Sequence, residues 1–158
     1  MKLFRFDGGR IGIERDGSAF DITDALGIDI NAWPPVQTVQ LIADFDHRIP
    51  SIEKHAKTRP IDLAQVRLEV PIAWPNKLLA YPVNYVKHGL EMKSKNRADL
   101  NGFFLKANSS LSGPNDPIVL PDLPGREIHH ECELGIVIGK GGKNISRADA
   151  YDPVFGYA

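Results

Sequence analysis

Residues 129–139 have the sequence HHECELGIVIG, and this stretch shapes the expected architecture more than any other. It overlaps residues 128–138, which are predicted to form a long β-strand. Residues two apart on a strand share a face, with their bases about 7 Å apart, so Glu131 and Glu133 would point the same way. His129 would share that face. The pattern therefore predicts two carboxylates on one side of a sheet.

Two carboxylates on one face suit a divalent cation. Oxygen ligands, without cysteines or paired histidines at zinc spacing, favour a hard metal, Mg²⁺ first, with Mn²⁺ or Ca²⁺ as alternatives. The chain has one cysteine, Cys132, which excludes a cysteine zinc site and an internal disulfide. The spacing of Glu131 and Glu133 alone favours a solvated strand face over a metal site, because acidic side chains are mostly exposed.

The first 70 residues predict a small α+β region. Alternating apolar residues at positions 3–22, interrupted by glycine turns, predict short strands. Helical spacing from Pro34 to His47 predicts a helix that starts at the prolines. Ser51 is expected to cap a second short helix, which Pro60 would end.

From Val66 onward the pattern predicts strands separated by turns. Further strands are predicted at residues 66–70, 78–81, 103–105 and 118–120. The glycine-rich segment 139–143 lacks the spacing of a phosphate-binding loop and predicts a hairpin turn. Ser146 is expected to cap a single helical turn.

A helix capped by Asn84 is predicted to carry His88 and Glu91. Three basic residues near its C-terminal end suit the helix dipole, namely Lys93, Lys95 and Arg97. Residues three apart on a helix are neighbours, so the Glu91 carboxylate could orient the His88 imidazole for general base work. A surface histidine beside a surface acid is the alternative interpretation.

Lys106 follows the apolar residues 103–105, so its ammonium group would stand at a strand end. There it can neutralise an anionic substrate. Alternatively, it only extends into solvent, as lysines on apolar surfaces commonly do.

Composition limits the possible classes of function. The chain has 158 residues, 42% of them hydrophobic, enough for one core without disulfides. A net charge of −1 without a basic block disfavours nucleic-acid binding. There is no N-terminal apolar leader, and no apolar run approaches the roughly 20 residues that cross a bilayer. We therefore predict a cytoplasmic protein that does not bind a membrane.

Taken in order, four motifs resemble the fumarylacetoacetate hydrolase family. They are residues 84–92, residues 103–110 followed by Gly113-Pro114, residues 129–140, and Phe155-Gly156-Tyr157. The resemblance covers residues 77–158, and the segment before it resembles the variable N-terminal region of many bacterial members. It implies an α+β fold with a mixed β-roll or barrel, C-terminally incomplete here. We accordingly divide the chain into an N-terminal region, 1–70, and the first part of a catalytic domain, 71–158.

The resemblance also implies a chemistry. Members use a divalent cation, usually Mg²⁺, and are usually dimers. They act on small 2-oxo acids or β-dicarbonyl compounds by C–C hydrolysis, decarboxylation or isomerisation. The implied site residues are the metal ligands Glu131 and Glu133, the water-activating pair His88 and Glu91, the lysine of the F-x-K motif, Lys106, and the substrate-binding residues Tyr85 and Ser110.

The chain departs from the family pattern at three places. Pro82-Val83 stands where the family more often has Gly-Leu, and Ala107 stands where the family usually has proline. Both departures affect loop geometry rather than ligands. The third metal ligand of the family, an aspartate shortly after the motif that is Gly156-Tyr157 here, would fall beyond Ala158. We therefore expect the N-terminal part of a longer hydrolase or lyase acting on acylpyruvate-like or fumarylacetoacetate-like acids, inactive on its own.

Two alternatives remain open from the sequence. The first is a non-catalytic fragment that folds or dimerises without a competent metal site. The second, weaker alternative is a cupin-like metal oxygenase built on His129, Glu131 and Glu133.

Overall fold

The computed structural model describes residues 1–94 and 98–158. In chain order its elements are β1 Lys2–Phe6, β2 Arg10–Arg15, β3 Ser18–Asp21, α1 Thr23–Leu26, α2 Gln37–Ala43, α3 Phe45–His55, β4 Pro60–Ile61, β5 Leu68–Glu69, β6 Leu79–Ala80, α4 Val86–Glu91, α5 Ala98–Asn101, β7 Phe104–Leu105, a 3₁₀ turn Asn108–Ser110, β8 Ile136–Ile138 and β9 Val154–Tyr157. This mixture confirms the predicted α+β class. Lys95 and Arg97, predicted near the end of a helix, lie outside the described residues. No helix in the described ranges is long and apolar enough to span a bilayer.

The first five strands form one antiparallel sheet in the order β4-β3-β2-β1-β5. Gly8 and Gly9 make the turn between β1 and β2 with φ values of 80° and 91°, which glycine adopts without steric cost. Their amides donate to the Glu69 carboxylate at 2.8 and 3.1 Å, and Arg5 forms an ion pair with Glu69 at 3.2 Å. The predicted short strands and glycine turns of the N-terminal region are therefore confirmed.

The hydrophobic core belongs to the N-terminal region. Its buried members are Ile11, Ile13, Ile22, Leu26, Leu41, Ile52 and Ala56. They come from β2, from the residues directly after β3 and α3, and from helices α1, α2 and α3, as the apolar spacing of these elements requires. Full burial of each isoleucine or leucine contributes about 1.5–3 kcal/mol. This core is the main source of stability in the described chain.

The helices of this region differ from the predicted ones. The helix predicted to reach His47 ends at Ala43, and His47 belongs to α3. Ser51 does not cap a helix, because it lies inside α3, where its hydroxyl donates to the carbonyl of Ala25 at 2.9 Å. Its role is to join α3 to α1 rather than to start a new helix.

Residues 77–158 contain two short antiparallel pairs. Leu79 lies opposite Leu105 in β6–β7, and Ile136 lies opposite Tyr157 in β8–β9. Among the described side chains of this range, no large apolar one is fully buried, and Val119 is 85% exposed. This half of the chain is therefore held by local pairing rather than by a core of its own.

Several predicted elements are shorter than expected or have another form. The strand predicted at 66–70 is limited to Leu68–Glu69, and the run 128–138 to Ile136–Ile138. Residues 118–120 are not a strand, because no strand in the described part of the chain pairs with them and an isolated strand is not stable. The N-cap of α4 is Tyr85 rather than Asn84, and Ser146 opens a turn, not a helix.

Candidate functional site

His88 occupies the centre of the candidate site. It lies on α4, where its Nδ1 atom is 3.7 Å from Oε2 of Glu91, one helical turn further on. Its Nε2 atom is 3.6 Å from Oε1 of Glu131, which comes from a distant part of the chain. The ring is partly buried, whereas both carboxylates are exposed. An imidazole between two carboxylates can accept a proton on one side while the other side orients the ring.

Tyr85 holds the segment that carries the two candidate metal ligands. It precedes α4 in an extended conformation, and its hydroxyl oxygen accepts a hydrogen bond from the backbone amide of Leu134 at 2.9 Å. Residues 129–135 are not a strand, so strand alternation does not set the directions of Glu131 and Glu133. The hydrogen bond to Tyr85 and the approach of Glu131 to His88 connect this segment to the α4 region instead. The sequence pattern contained no signal for the bond to Leu134.

The described residues do not form the complete metal site that the family resemblance implies. Among the side chains that the structure describes, no group of three or more His, Cys, Asp or Glu could hold a metal ion. His129, predicted on the face of the glutamates, has its Nε2 atom 3.6 Å from Glu127 Oε2 instead. Cys132 is exposed and free. The carboxylates of Glu131 and Glu133 are hard oxygen donors of the kind Mg²⁺ and Mn²⁺ prefer, so the donor chemistry fits while the set is incomplete.

Lys106 and Ser110 lie together in a second part of the site. They line an open depression of about 480 Å³ with Leu78, Ala107 and Leu111. The Lys106 amide donates to the Leu78 carbonyl at 2.9 Å, which extends the β6–β7 pair, as predicted for a lysine at a strand end. Its Nζ atom is 5.8 Å from the centre of the Phe104 ring, a cation–π distance. No hydrogen bond or ion pair between described residues joins this part to His88.

The turn after Ser110 is anchored to the N-terminal region. Asp116 accepts a hydrogen bond from Arg67 at 2.7 Å and another from the Gly113 amide at 2.8 Å. These bonds hold the pKa of Asp116 below its usual range, the one from Arg67 contributing most. A Cβ at Gly113 would lie 2.9 Å from the Leu68 carbonyl oxygen, so only glycine fits against β5. The sequence analysis missed this anchor, whose partners are far apart along the chain.

Comparison with known proteins gives one family. The sequence profile described as the C-terminal domain of fumarylacetoacetate (FAA) hydrolase matches residues 77–158. A maleylpyruvate hydrolase of Aquipseudomonas alcaligenes is 35% identical over 99% of this chain and 59% of its own length. A mitochondrial oxaloacetate tautomerase of Xenopus laevis is 34% identical over 99% of the chain and 50% of its own. The chain therefore spans between half and three-fifths of the length of these relatives.

Solved structures agree with the sequence comparison. Maleylpyruvate hydrolase from Sphingobium sp. SYK-6, in complex with manganese(II) and pyruvate, has a TM-score of 0.87 and 49% identity, covering 99% of this chain and 56% of that one. Fumarylacetoacetate hydrolase from Exiguobacterium antarcticum has a TM-score of 0.71 and 29% identity, covering 99% of this chain and 53% of that one.

Proposed function

The chain belongs to the fumarylacetoacetate hydrolase family, and from this premise we propose that it forms part of a divalent-metal-dependent hydrolase or lyase. The substrate is a small 2-oxo acid of the acylpyruvate or fumarylacetoacetate-like type, cleaved at a C–C bond. The observation that carries the proposal is the approach of His88 to both Glu91 and Glu131, at 3.7 and 3.6 Å. Relatives that act on maleylpyruvate and oxaloacetate support the substrate class.

Glu131 and Glu133 are the proposed metal ligands, for Mg²⁺ or Mn²⁺, with Ca²⁺ as a further option. The manganese complex of the Sphingobium enzyme supports a divalent cation. Glu131 and Glu133 would hold the cation, which as a Lewis acid would stabilise negative charge on the 2-oxo oxygen of the substrate. Two carboxylates leave several coordination positions of the cation to other donors, such as water or substrate.

The pairing of Gly135 with Ala158 indicates where a third ligand would lie in a chain of the relatives' length. Gly135 and Ala158 exchange two backbone hydrogen bonds, at 2.9 and 3.0 Å, as an antiparallel pair does. In a chain of the relatives' length, the residues after Ala158 would run alongside Leu134 and Glu133 if this pairing continued. An aspartate there, as the family pattern implies, would lie next to the proposed metal ligands.

The other site residues have roles that follow from their chemistry. His88, oriented by Glu91, would accept a proton from the attacking water. Lys106 would place positive charge near the developing oxyanion, and Ser110 and Tyr85 would bind substrate polar groups. Lys106 and Ser110 line one depression, which supports a shared role at the substrate.

The larger architecture remains a proposal as well. We propose an N-terminal region, 1–70, and a partial catalytic domain, 71–158, because the buried core lies wholly in the first. The mixed β-roll or barrel, the homodimer and the cytoplasmic location rest on the resemblance and the composition. The cupin-like alternative is discarded, since the family is now established.

The test is a titration of the native protein with Mn²⁺ by calorimetry. The intact mass is measured first, because it shows whether the protein has the length of its relatives. We expect binding at one site per chain and turnover of maleylpyruvate or another acylpyruvate. Glu131→Gln and Glu133→Gln should each weaken the affinity at least about tenfold, equivalent to about 1.4 kcal/mol. Glu127→Gln is the matched control, because it removes a neighbouring exposed carboxylate. A native protein of the relatives' length without metal binding or turnover would support the non-catalytic alternative.

A further inference from the structure

Two aromatic rings join the N-terminal region to the β8–β9 hairpin. Phe45, the first residue of α3, and Phe155, in β9, have ring centroids 5.0 Å apart and planes at 85°. This is the edge-to-face geometry that aromatic pairs favour. Phe45 also packs against the buried core cluster. It therefore connects that core to a hairpin which has little buried surface of its own.

A β-bulge makes Phe155 available for this contact. Val137 lies opposite Gly156, and Ile138 lies opposite Val154. Phe155 is thus the extra residue of β9, without a partner in the ladder. A β-bulge changes the direction of a side chain, and bulges are common next to active sites. Here the redirected ring meets Phe45.

Gly139 and Ile42 add a second contact at the same place. A Cβ on Gly139 would lie 2.9 Å from the Cβ of Phe155 and 3.3 Å from Cγ2 of Ile42. The first distance is shorter than side chains tolerate, so the close approach requires glycine. Helices α2 and α3 therefore both touch the hairpin where it bulges.

The opposite end of the hairpin leads to Glu133. Gly135 and Ala158 are bonded to each other through both backbone groups. Glu133 precedes Gly135 by two residues. A shift of β9 would therefore move the backbone that carries the Glu133 carboxylate.

We infer that Phe45 is a positioning residue, which sets the position of the β8–β9 hairpin, and so of Glu133, by its contact with Phe155. The consequence for a bound cation rests on the proposed function. The N-terminal region then contributes to the site without supplying a ligand, because it holds the β8–β9 hairpin against the buried core.

Amide hydrogen exchange on the full chain tests the positioning directly. Phe45→Ala should speed exchange of the Gly135 and Ala158 amides about tenfold, because the hairpin loses its contact with the core. Phe20→Ala is the matched control: Phe20 packs against the same core from β3 and pairs with Ile13 and Pro60. It should leave both amides within about twofold of the wild-type rate. Phe45→Leu keeps apolar packing on the core and should give an intermediate rate, which guards against misfolding of the alanine variant.

The second readout is Mn²⁺ affinity in the protein at its native length. We expect Phe45→Ala to weaken it about tenfold and Phe20→Ala to leave it unchanged. Equal exchange in the two alanine variants would overturn the inference, as would faster exchange in Phe45→Ala with unchanged affinity. If the wild-type protein binds no Mn²⁺, the proposed function fails, and the exchange rates alone decide whether Phe45 positions the hairpin.

Discussion

The Nε2 atom of His88 lies 3.6 Å from the Oε1 atom of Glu131. The helix α4 and the irregular segment 129–135 meet at this contact. It joins two groups of side chains that lie far apart along the chain, the proposed water-activating pair and the proposed metal ligands. If Glu131 holds a cation as proposed, an imidazole at this distance would be able to take a proton from a nearby water.

Replacement of His88 should remove general base catalysis. His88→Gln is expected to lower kcat for the proposed acylpyruvate hydrolysis by about 10²–10⁴-fold, because glutamine cannot accept the proton. KM and Mn²⁺ affinity should change by less than about threefold, since glutamine remains polar and of similar size. His129→Gln is the control, as His129 contacts Glu127 rather than Glu91 or Glu131. Equal loss of kcat in both variants would contradict the assigned role.

Tyr85→Phe separates two roles of the tyrosine. Loss of the hydroxyl leaves the Leu134 amide without its acceptor, so exchange of that amide should become several-fold faster, reflecting a bond worth about 0.5–1.5 kcal/mol. If the hydroxyl also binds substrate, KM should rise as well. Tyr81→Phe serves as a control, because Tyr81 is an exposed residue that meets Phe103 through its ring. An unchanged Leu134 amide would show that the bond does not hold the segment.

Asp21 should make the N-terminal region sensitive to acid. Burial raises the pKa of Asp21, but hydrogen bonds from Thr23 and the Arg10 guanidinium outweigh that effect and lower it overall. Because the pKa of Asp21 is lower in the folded than in the unfolded state, ionised Asp21 stabilises the fold at pH values above its unfolded-state pKa of about 3.9. This contribution to the free energy of unfolding is lost as the pH falls through the folded-state pKa. Asp21→Asn should cost about 1–3 kcal/mol at pH 6 and less at pH 3.

The measurement is urea unfolding of the wild type and the variant at both pH values. Asp24→Asn is the control, because Asp24 is exposed and its ion pair with Arg59 lies at the surface. A cost for Asp21→Asn that is the same at pH 3 and pH 6 would rule out this source of acid sensitivity.

Core truncation should affect the two halves of the chain unequally. Leu41 is fully buried, so Leu41→Ala should reduce the free energy of unfolding by about 2–5 kcal/mol. Leu105 is 67% exposed, so Leu105→Ala should change it by less than about 0.5 kcal/mol. Chemical denaturation followed by tryptophan fluorescence measures both, and similar costs would mean that residues 77–158 share the stabilising core.

Much of the N-terminal region follows from local sequence. The alternation at residues 3–22 and the glycines at positions 8, 9 and 17 specify β1, β2 and β3, because side-chain period and positive φ are properties of a few adjacent residues. The place of Ser51 could not be predicted in this way. A serine hydroxyl can cap a helix or donate a hydrogen bond to a distant part of the chain. Ser51 has the second role because the carbonyl of Ala25 lies within hydrogen-bond distance.

In the candidate site, too, some features follow from local sequence and others only from the tertiary structure. By itself the sequence determined the α+β class, the pair His88 and Glu91 on one helix, Lys106 at a strand end and, through ordered motifs, the family. Only the tertiary structure decided that Glu131 reaches His88, that Tyr85 holds Leu134, and that Phe45 meets Phe155. The physical reason is range. Strand and helix periodicity act over a few residues, whereas each of these contacts joins residues from distant parts of the chain, where packing and backbone hydrogen bonding outweigh local preference.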